Sequence, residues 1–555
     1  MAKSLSESKL KQPVFLIFIL LIGFLFRFMN LKGDAPAGDI SRSGVFYVDE
    51  GTYAHNVVNK ALFGEWFLSD DYNAMSNVPV FSLVQYAIVR TFGVGLVQIR
   101  SGAILYSLLS LILIWVILKS VDSNAAIFAV ILGAVNYFFI IYNRLALLEN
   151  LLNLFLVIIA GLLFIYYHKK KSTWLIFATI FFVAGYFVKA TVIFFLPVIL
   201  IAIYLTNPFW KNRIFHLSVF IATLILLAIG CYYLWILPHK ADWLYFQQLN
   251  ISLKIPGSPI QILSNYARYF GNLKLFPFMP IIYTVFLFYL GSLVCNLFKR
   301  EKLSFPEILF MTWAVSGILF LGFFEYSPPR FSLILMPAII SLVAMFLSRI
   351  GQKNFQLSRK ECLIIITFVS IICCGQILFG IYRIVRDHHH FLSCYLPWLS
   401  LPCLGFLFWT HKSLLQKKNY WIFTCIIILN LIQVGHYNLT IKFSYYDAFK
   451  DMKFQMDQYP GEPKILAGDI APLVATELKI KAVSIIFRPL SEKDRFLQQG
   501  PRFLILQDRL QLDRLKQKMP DYLSSVYLLK SYRIFKNYIN KDNTYFYRIN
   551  IFKNQ

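Results

Sequence analysis

Charge is scarce in this chain. Asp, Glu, Lys and Arg make up 15% of its 555 residues, hydrophobic residues 58%, and the mean hydropathy is +0.60. A water-soluble fold of this length needs more polar surface to cover its core, so a soluble globular protein is excluded. Acidic residues are the rarer sign, 28 against 54 basic. The resulting net charge of +26 does not mark a nucleic-acid surface, because the basic residues fall in short clusters between apolar runs. Cysteine is missing from the long loops and the C-terminal tail. Cys231, Cys295, Cys362, Cys373, Cys374, Cys394, Cys403 and Cys425 all lie in or at the ends of apolar runs, and no Cys-x-x-Cys occurs. That excludes a disulfide framework and a thiolate metal site. The first apolar run, Pro13 to Met29, lacks an Ala-x-Ala cleavage pattern and reads as an uncleaved signal anchor. No internal repeat or low-complexity segment is visible.

What the chain has in quantity is long apolar runs. They cover roughly 14–31, 97–119, 124–142, 150–167, 174–188, 190–206, 214–237, 276–298, 306–324, 329–349, 361–381, 390–409 and 420–440, about thirteen membrane spans. A shorter stretch, Pro79 to Phe92, is interrupted by Gln85 and Arg90 and fits an interfacial amphipathic helix. With a cytoplasmic N-terminus and 79–92 not crossing, alternate loops are basic: Lys119, His168 to Lys171, Lys211 with Arg213, Lys299 to Lys302, Arg349 to Lys360, and His411 to Lys418. Counting 79–92 as a span would put these clusters outside, against the positive-inside rule. The outer face then holds the first loop 32–96, the junction 143–150, loop 238–275 and a tail from about 441. The expected fold is a polytopic α-helical membrane domain, 1–440, with a small outer α/β domain, 441–555. In the tail 464–467, 482–487, 502–506 and 544–549 read as strands and 508–519 as a helix, with no phosphate-binding glycine motif.

Charged residues on the outer face are candidates for function by default, because a membrane boundary makes them costly. Asp49 and Glu50 stand in Phe46-Tyr47-Val48-Asp49-Glu50-Gly51-Thr52-Tyr53-Ala54, ahead of a helical pattern. A purely structural alternative is that Asp49 is an N-cap and Glu50 complements the helix dipole. Arg144 and Glu149 interrupt two apolar runs on the same face. Lys189, Arg268, Arg330 and Arg100 add outer cations that suit an anionic ligand such as a phosphate; snorkelling to the interface is the alternative for each. His388-His389-His390 has no carboxylate motif beside it, and contiguous histidines do not converge on one ion, so no metal is expected there.

Together, Val48-Asp49-Glu50-x2-Tyr53-Ala54, the Arg144-x4-Glu149 element and the Pro-Arg element at Arg330 resemble the GT-C glycosyltransferases. The likeness is to the branch that contains protein O-mannosyltransferases and the lipid A aminoarabinose transferase. Two positions depart from the family pattern: Ser76-Asn77-Val78-Pro79 has no Lys before the Pro, and the second acidic residue is Glu149, not Asp. The resemblance implies a sugar carried on a polyprenyl phosphate, undecaprenyl phosphate-like, moved to a lipid, glycan or protein acceptor on the outer face of a bacterial inner membrane. It implies catalytic carboxylates at Asp49, Glu50 and Glu149, with Asp49 as the base of a single, inverting displacement. Lys189, Arg268, Arg330 and Arg100 would contact the donor phosphate, and Arg144 and Tyr53 would position. The phosphate is already a good leaving group, so no cofactor or metal is required. A transporter or flippase of lipid-linked sugars and a non-catalytic assembly factor are the alternatives, the former usually with charges deep in its spans and internal repeats.

Overall fold

The computed structural model describes residues 2–34, 44–67, 73–254, 256–271, 279–299, 303–325, 327–350, 412–484, 500–506, 509–520, 522–524, 526–535 and 541–549. The runs expected at 361–381 and 390–409, with His388 to His390, lie outside the described residues. The helices, in order, are α1 (Ala2–Phe28), α2 (Gly44–Phe63), α3 (Pro79–Phe92), α4 (Leu96–Lys119), α5 (Ser123–Val135), α6 (Tyr137–Tyr142), α7 (Leu148–Lys169), α8 (Ser172–Tyr186), α9 (Leu196–Thr206), α10 (Trp210–Cys231), α11 (Lys240–Lys254), α12 (Pro259–Gly271), α13 (Pro280–Phe298), α14 (Phe305–Phe323), α15 (Met336–Ile350) and α16 (Lys412–Thr440). Among the described residues, seven helical segments are long and apolar enough to cross a membrane. Every other expected run coincides with a helix, but three need correction.

The run 124–142 is not one helix. It breaks at Asn136, which takes an extended conformation and uses its side chain to cap α6 through the Phe139 amide, 2.9 Å. The break strands the last carbonyls of α5, and the buried Arg27 of α1 supplies them. Its guanidinium donates to Ala134 and Gly133, both at 2.9 Å, and to Ser107 Oγ at 3.0 Å. The runs 190–206 and 329–349 each begin as a 3-10 turn, Ala190–Phe195 before α9 and Pro329–Leu335 before α15.

Helix α15 and the 3-10 turn ahead of it, Pro329–Leu335, are buried nearly end to end and form the centre of the bundle. Helices α1 and α10 lie outside and present Val14, Ile17, Ile225 and Leu226 outward. Such a face suits acyl chains, not water. Helix α3 keeps its expected bounds, burying Phe81, Ser82, Gln85 and Val89 and exposing Leu83 and Phe92.

After α16 come α17 (Ser444–Asp457), β1 (Ile465–Gly468), α18 (Ala471–Leu478), β2 (Lys481–Ser484), β3 (Phe503–Leu506), α19 (Arg509–Lys518), β4 (Val526–Phe535) and β5 (Lys541–Ile549). The sheet order is β2-β1-β3-β5-β4, with β1 parallel to β2 and β3 and the other pairs antiparallel. Sequence reading expected the other strands and α19; β4, α17 and α18 went unforeseen. Period-two alternation gives the sheet two faces. Leu504, Leu506, Tyr547 and Ile549 pack under α19 with Leu515 and Met519. Leu466, Phe503, Ile505 and Phe546 join the main helical core, together with Phe449 and Met452 of α17 and Leu473 and Val474 of α18. The tail therefore shares its core with the helices.

Candidate active site

Helix α2 starts at Gly44, so Asp49 is an interior helical residue and not an N-cap. Successive helical residues point about 100° apart, and Asp49, Glu50 and Gly51 accordingly face three different parts of the molecule. Glu50 is fully buried. It takes a bidentate pair from Arg100 (Nε to Oε1 2.9 Å, Nη2 to Oε2 2.7 Å) and the Ala146 amide at 2.7 Å. Arg100 also donates to the carbonyls of Leu31 and Gly33. Both side chains are 1% exposed or less and bond to each other and to backbone. Gly51 faces the tail, where Leu473 of α18 packs against it.

Asp49 faces the bundle's charged end. Its carboxylate lies 2.5 Å from Arg330 Nη2. Arg330 Nε is 3.7 Å from Glu149, and Glu149 pairs with Lys189 Nζ at 2.5 Å. Lys189 also sits 3.6 Å from the centre of the Phe331 ring, a cation–π contact. Carboxylate and cation thus alternate along Asp49, Arg330, Glu149 and Lys189. Among them Asp49 is the most accessible, 20% exposed against 3% for Glu149.

Local sequence explains why these side chains converge. Glu149 stands in the first turn of α7, where an acid complements the helix dipole. Helices α7 and α8 form a hairpin through Lys170 and Lys171, so the start of α7 and the end of α8, with Lys189 just beyond, share one end. Arg330 rides on the 3-10 turn opened by Pro328 and Pro329. That turn is pinned by Asn153 Nδ2 to the Leu333 carbonyl and Trp313 Nε1 to the Ile334 carbonyl, both 2.9 Å. Phe331, Asn153, Trp313 and the Ala146 amide were not singled out from sequence. Only the aromatic beside Arg330 left any signal there.

The other expected residues are placed as follows. Arg144 is buried, donating to the Met29 carbonyl at 2.5 Å and the Asn30 carbonyl, with its guanidinium 5.3 Å from the Tyr437 ring. It ties the end of α1 to α16 and does not join the charge chain in these contacts. Tyr53, one turn beyond Asp49, packs edge-on against Phe81 of α3. Arg268 falls on α12, and its side chain lies outside the described residues. The stretch before Pro79 carries no cation; Ser76 and Asn77 are buried and bonded to each other, and Trp235 Nε1 donates to the Ser76 carbonyl. Among the described residues, no group of His, Cys, Asp and Glu is arranged to hold a metal ion.

The tail is fastened beside this site. Asp34 accepts bonds from Ser444 N and Oγ and from Tyr445 N, taking up the free amides at the start of α17. Burial holds the Asp34 carboxyl above its usual range, against the opposing effect of these bonds. Glu477 of α18 accepts from the Leu96 amide at the start of α4, 2.9 Å, and pairs with Lys32.

Residues 76–233 match the family model of dolichyl-phosphate-mannose-protein mannosyltransferase. No curated protein matches the chain in sequence. Over 96% of its length the chain is similar to ArnT from Cupriavidus metallidurans bound to undecaprenyl phosphate, covering 97% of that chain with 14% identity and a TM-score of 0.58. The apo form of that protein matches at 13% identity and the same TM-score, with 97% and 98% covered. A weaker likeness, TM-score 0.48 at 12% identity, covers 89% of this chain and 69% of the Archaeoglobus fulgidus oligosaccharyltransferase. The chain therefore has the GT-C fold, and the part of it that matches the family model, residues 76–233, runs from just before α3 to just after α10.

Proposed function

We propose that this protein is a membrane glycosyltransferase that moves a sugar from a polyprenyl phosphate to an acceptor at the outer face of a bacterial inner membrane. The observation that carries the reading is the alternating chain of Asp49, Arg330, Glu149 and Lys189, drawn from four separate segments to one end of a GT-C bundle. Its parts suit the two demands of transfer. Arg330 and Lys189 can take the negative charge that grows on a departing phosphate, in a setting where little water screens them. Asp49, the most accessible carboxylate, can take the proton of an acceptor hydroxyl as the sugar acquires oxocarbenium character. A single displacement of this kind inverts the anomeric centre.

Glu149 holds the two cations rather than acting as base, since both Lys189 and Arg330 lean on it. A donor phosphate would compete with Asp49 for Arg330, so donor binding would free the base as it engages the cation. The undecaprenyl phosphate bound by the structurally similar ArnT supports a polyprenyl phosphate as donor carrier. The acceptor is a lipid, glycan or protein. No step here calls for a metal or other cofactor.

The test compares extracted lipids from cells carrying wild-type protein and Asp49→Asn by mass spectrometry. Build-up of a polyprenyl-phosphate sugar only with the variant supports the reading and identifies the sugar. Unchanged lipids at equal protein level would sink it and bring forward the transporter or assembly-factor alternatives.

A further inference from the structure

We infer that the C-terminal tail is part of the catalytic unit: α18 sets the position of α2 through the close contact of Leu473 with Gly51, which makes Leu473 a positioning residue for Asp49. The inference rests on the reading of Asp49 as the base. Gly51 is an interior helical residue, where glycine is destabilising relative to alanine. The tertiary contact explains its presence. A Cβ at position 51 would come 2.7 Å from the Leu473 amide nitrogen and 3.0 Å from its Cβ. The nearest atom is backbone, so a larger residue could not be relieved by a side-chain rotation. Pro472, at the start of α18, further restrains that backbone.

This contact closes a triangle. Helix α18 meets α2 at Leu473 and Gly51. Helix α2 meets α4 through Glu50 and Arg100. Helix α4 meets α18 through the Leu96 amide and Glu477. The two residues that follow Asp49 are therefore each held by a different partner, one in the bundle and one in the tail. Asp49 itself is left to face Arg330. Moving α18 moves α2 against the turn that carries Arg330, and a misplacement of about 1 Å at a reacting group costs on the order of 100-fold in rate.

The test uses full-length protein and the variants Gly51→Ala, Leu473→Ala and Asp49→Asn. Two quantities are read at equal protein level: accumulation of the donor lipid in cells, and binding of undecaprenyl phosphate to the purified proteins. Gly51→Ala is expected to cut transfer by on the order of 10-fold or more, seen as donor accumulation approaching that of Asp49→Asn. Phosphate binding should not weaken, because Arg330 and Lys189 are untouched and a displaced Asp49 competes less for Arg330. Wild-type transfer by Gly51→Ala overturns the inference. So does a parallel loss of transfer and phosphate binding, which marks a contact that only stabilises the fold. If Gly51→Ala does not accumulate, Leu473→Ala, which removes bulk, carries the same comparison, and wild-type transfer by it overturns the inference. Wild-type transfer by Asp49→Asn instead defeats the underlying assignment of the base, an outcome distinct from failure of the tail contact alone.

Discussion

The guanidinium of Arg330 lies 2.5 Å from the carboxylate of Asp49, joining the turn before the central helix to the helix that follows the first apolar run. Through Nε, on the same edge as Nη2, the group also reaches toward Glu149, 3.7 Å away. A planar fork can address two carboxylates at once; an ammonium is a single point charge. Arg330→Lys is therefore expected to keep the fold but lower transfer on the order of 100-fold. Donor-lipid accumulation alongside a thermal melt in detergent would check this. Wild-type transfer by the lysine variant would show that bridging is unimportant.

Glu50 and Arg100 form a buried, bidentate pair. Breaking such a pair from one side leaves an uncompensated charge and costs about 3–5 kcal/mol. Glu50→Gln and Arg100→Met are each expected to unfold at clearly lower temperature than wild type. The double variant should be more stable than either, because no lone charge remains. A double variant as unstable as the sum of the singles would show that the pair does not act as a unit.

Asp34 provides a pH dependence. Its carboxyl is held above the ordinary value of 3.8, mainly by burial. The folded protein therefore keeps this proton to higher pH than the unfolded chain does. Between the ordinary value and the raised one the folded state binds more protons, so stability from this group falls as pH rises. Asp34→Asn removes that slope while keeping an acceptor oxygen for Ser444. Melting temperatures across the acidic range should flatten in the variant; an unchanged slope would assign the dependence to other groups.

Arg27 satisfies the carbonyls stranded by the break at Asn136. Arg27→Leu leaves buried acceptors without a donor, a cost of about 1–3 kcal/mol for each. Arg27→Lys is expected to recover only part of the loss, since one ammonium cannot reproduce the spread of bonds to Ala134, Gly133 and Ser107. A melt of the two variants beside wild type decides it.

The helical bundle was legible because apolar runs announce themselves one segment at a time. The reading of Pro79 to Phe92 as a separate short helix came from its length, from Gln85 and Arg90, and from the basic loops that follow, and α3 has those bounds. The break at Asn136 was not legible: the surrounding residues are apolar on both sides, and the carbonyls it frees are satisfied by Arg27, far away in sequence. In the charge chain, Asp49, Glu149, Lys189 and Arg330 could be picked out individually as charges at a boundary. Glu50 and Arg100 carried the same signal, yet the fold turns them inward to each other. Helix α18 left no mark on function, because Leu473 is an ordinary apolar residue whose importance lies in what it touches.

Hydropathy summed over about 20 residues decides whether a segment enters a bilayer, and that sum is local. By itself the sequence therefore determined a many-span membrane protein with an α/β tail, and marked the few charges worth attention. Which cation meets which carboxylate depends on the packing of segments distant in the chain, where several arginines and lysines are alike in composition and differ only in place. Tertiary structure alone decided that Arg330 faces Asp49, that Arg100 is consumed by Glu50, and that the tail presses on Gly51, because each pairing is set by the direction in which a packed helix turns its side chains.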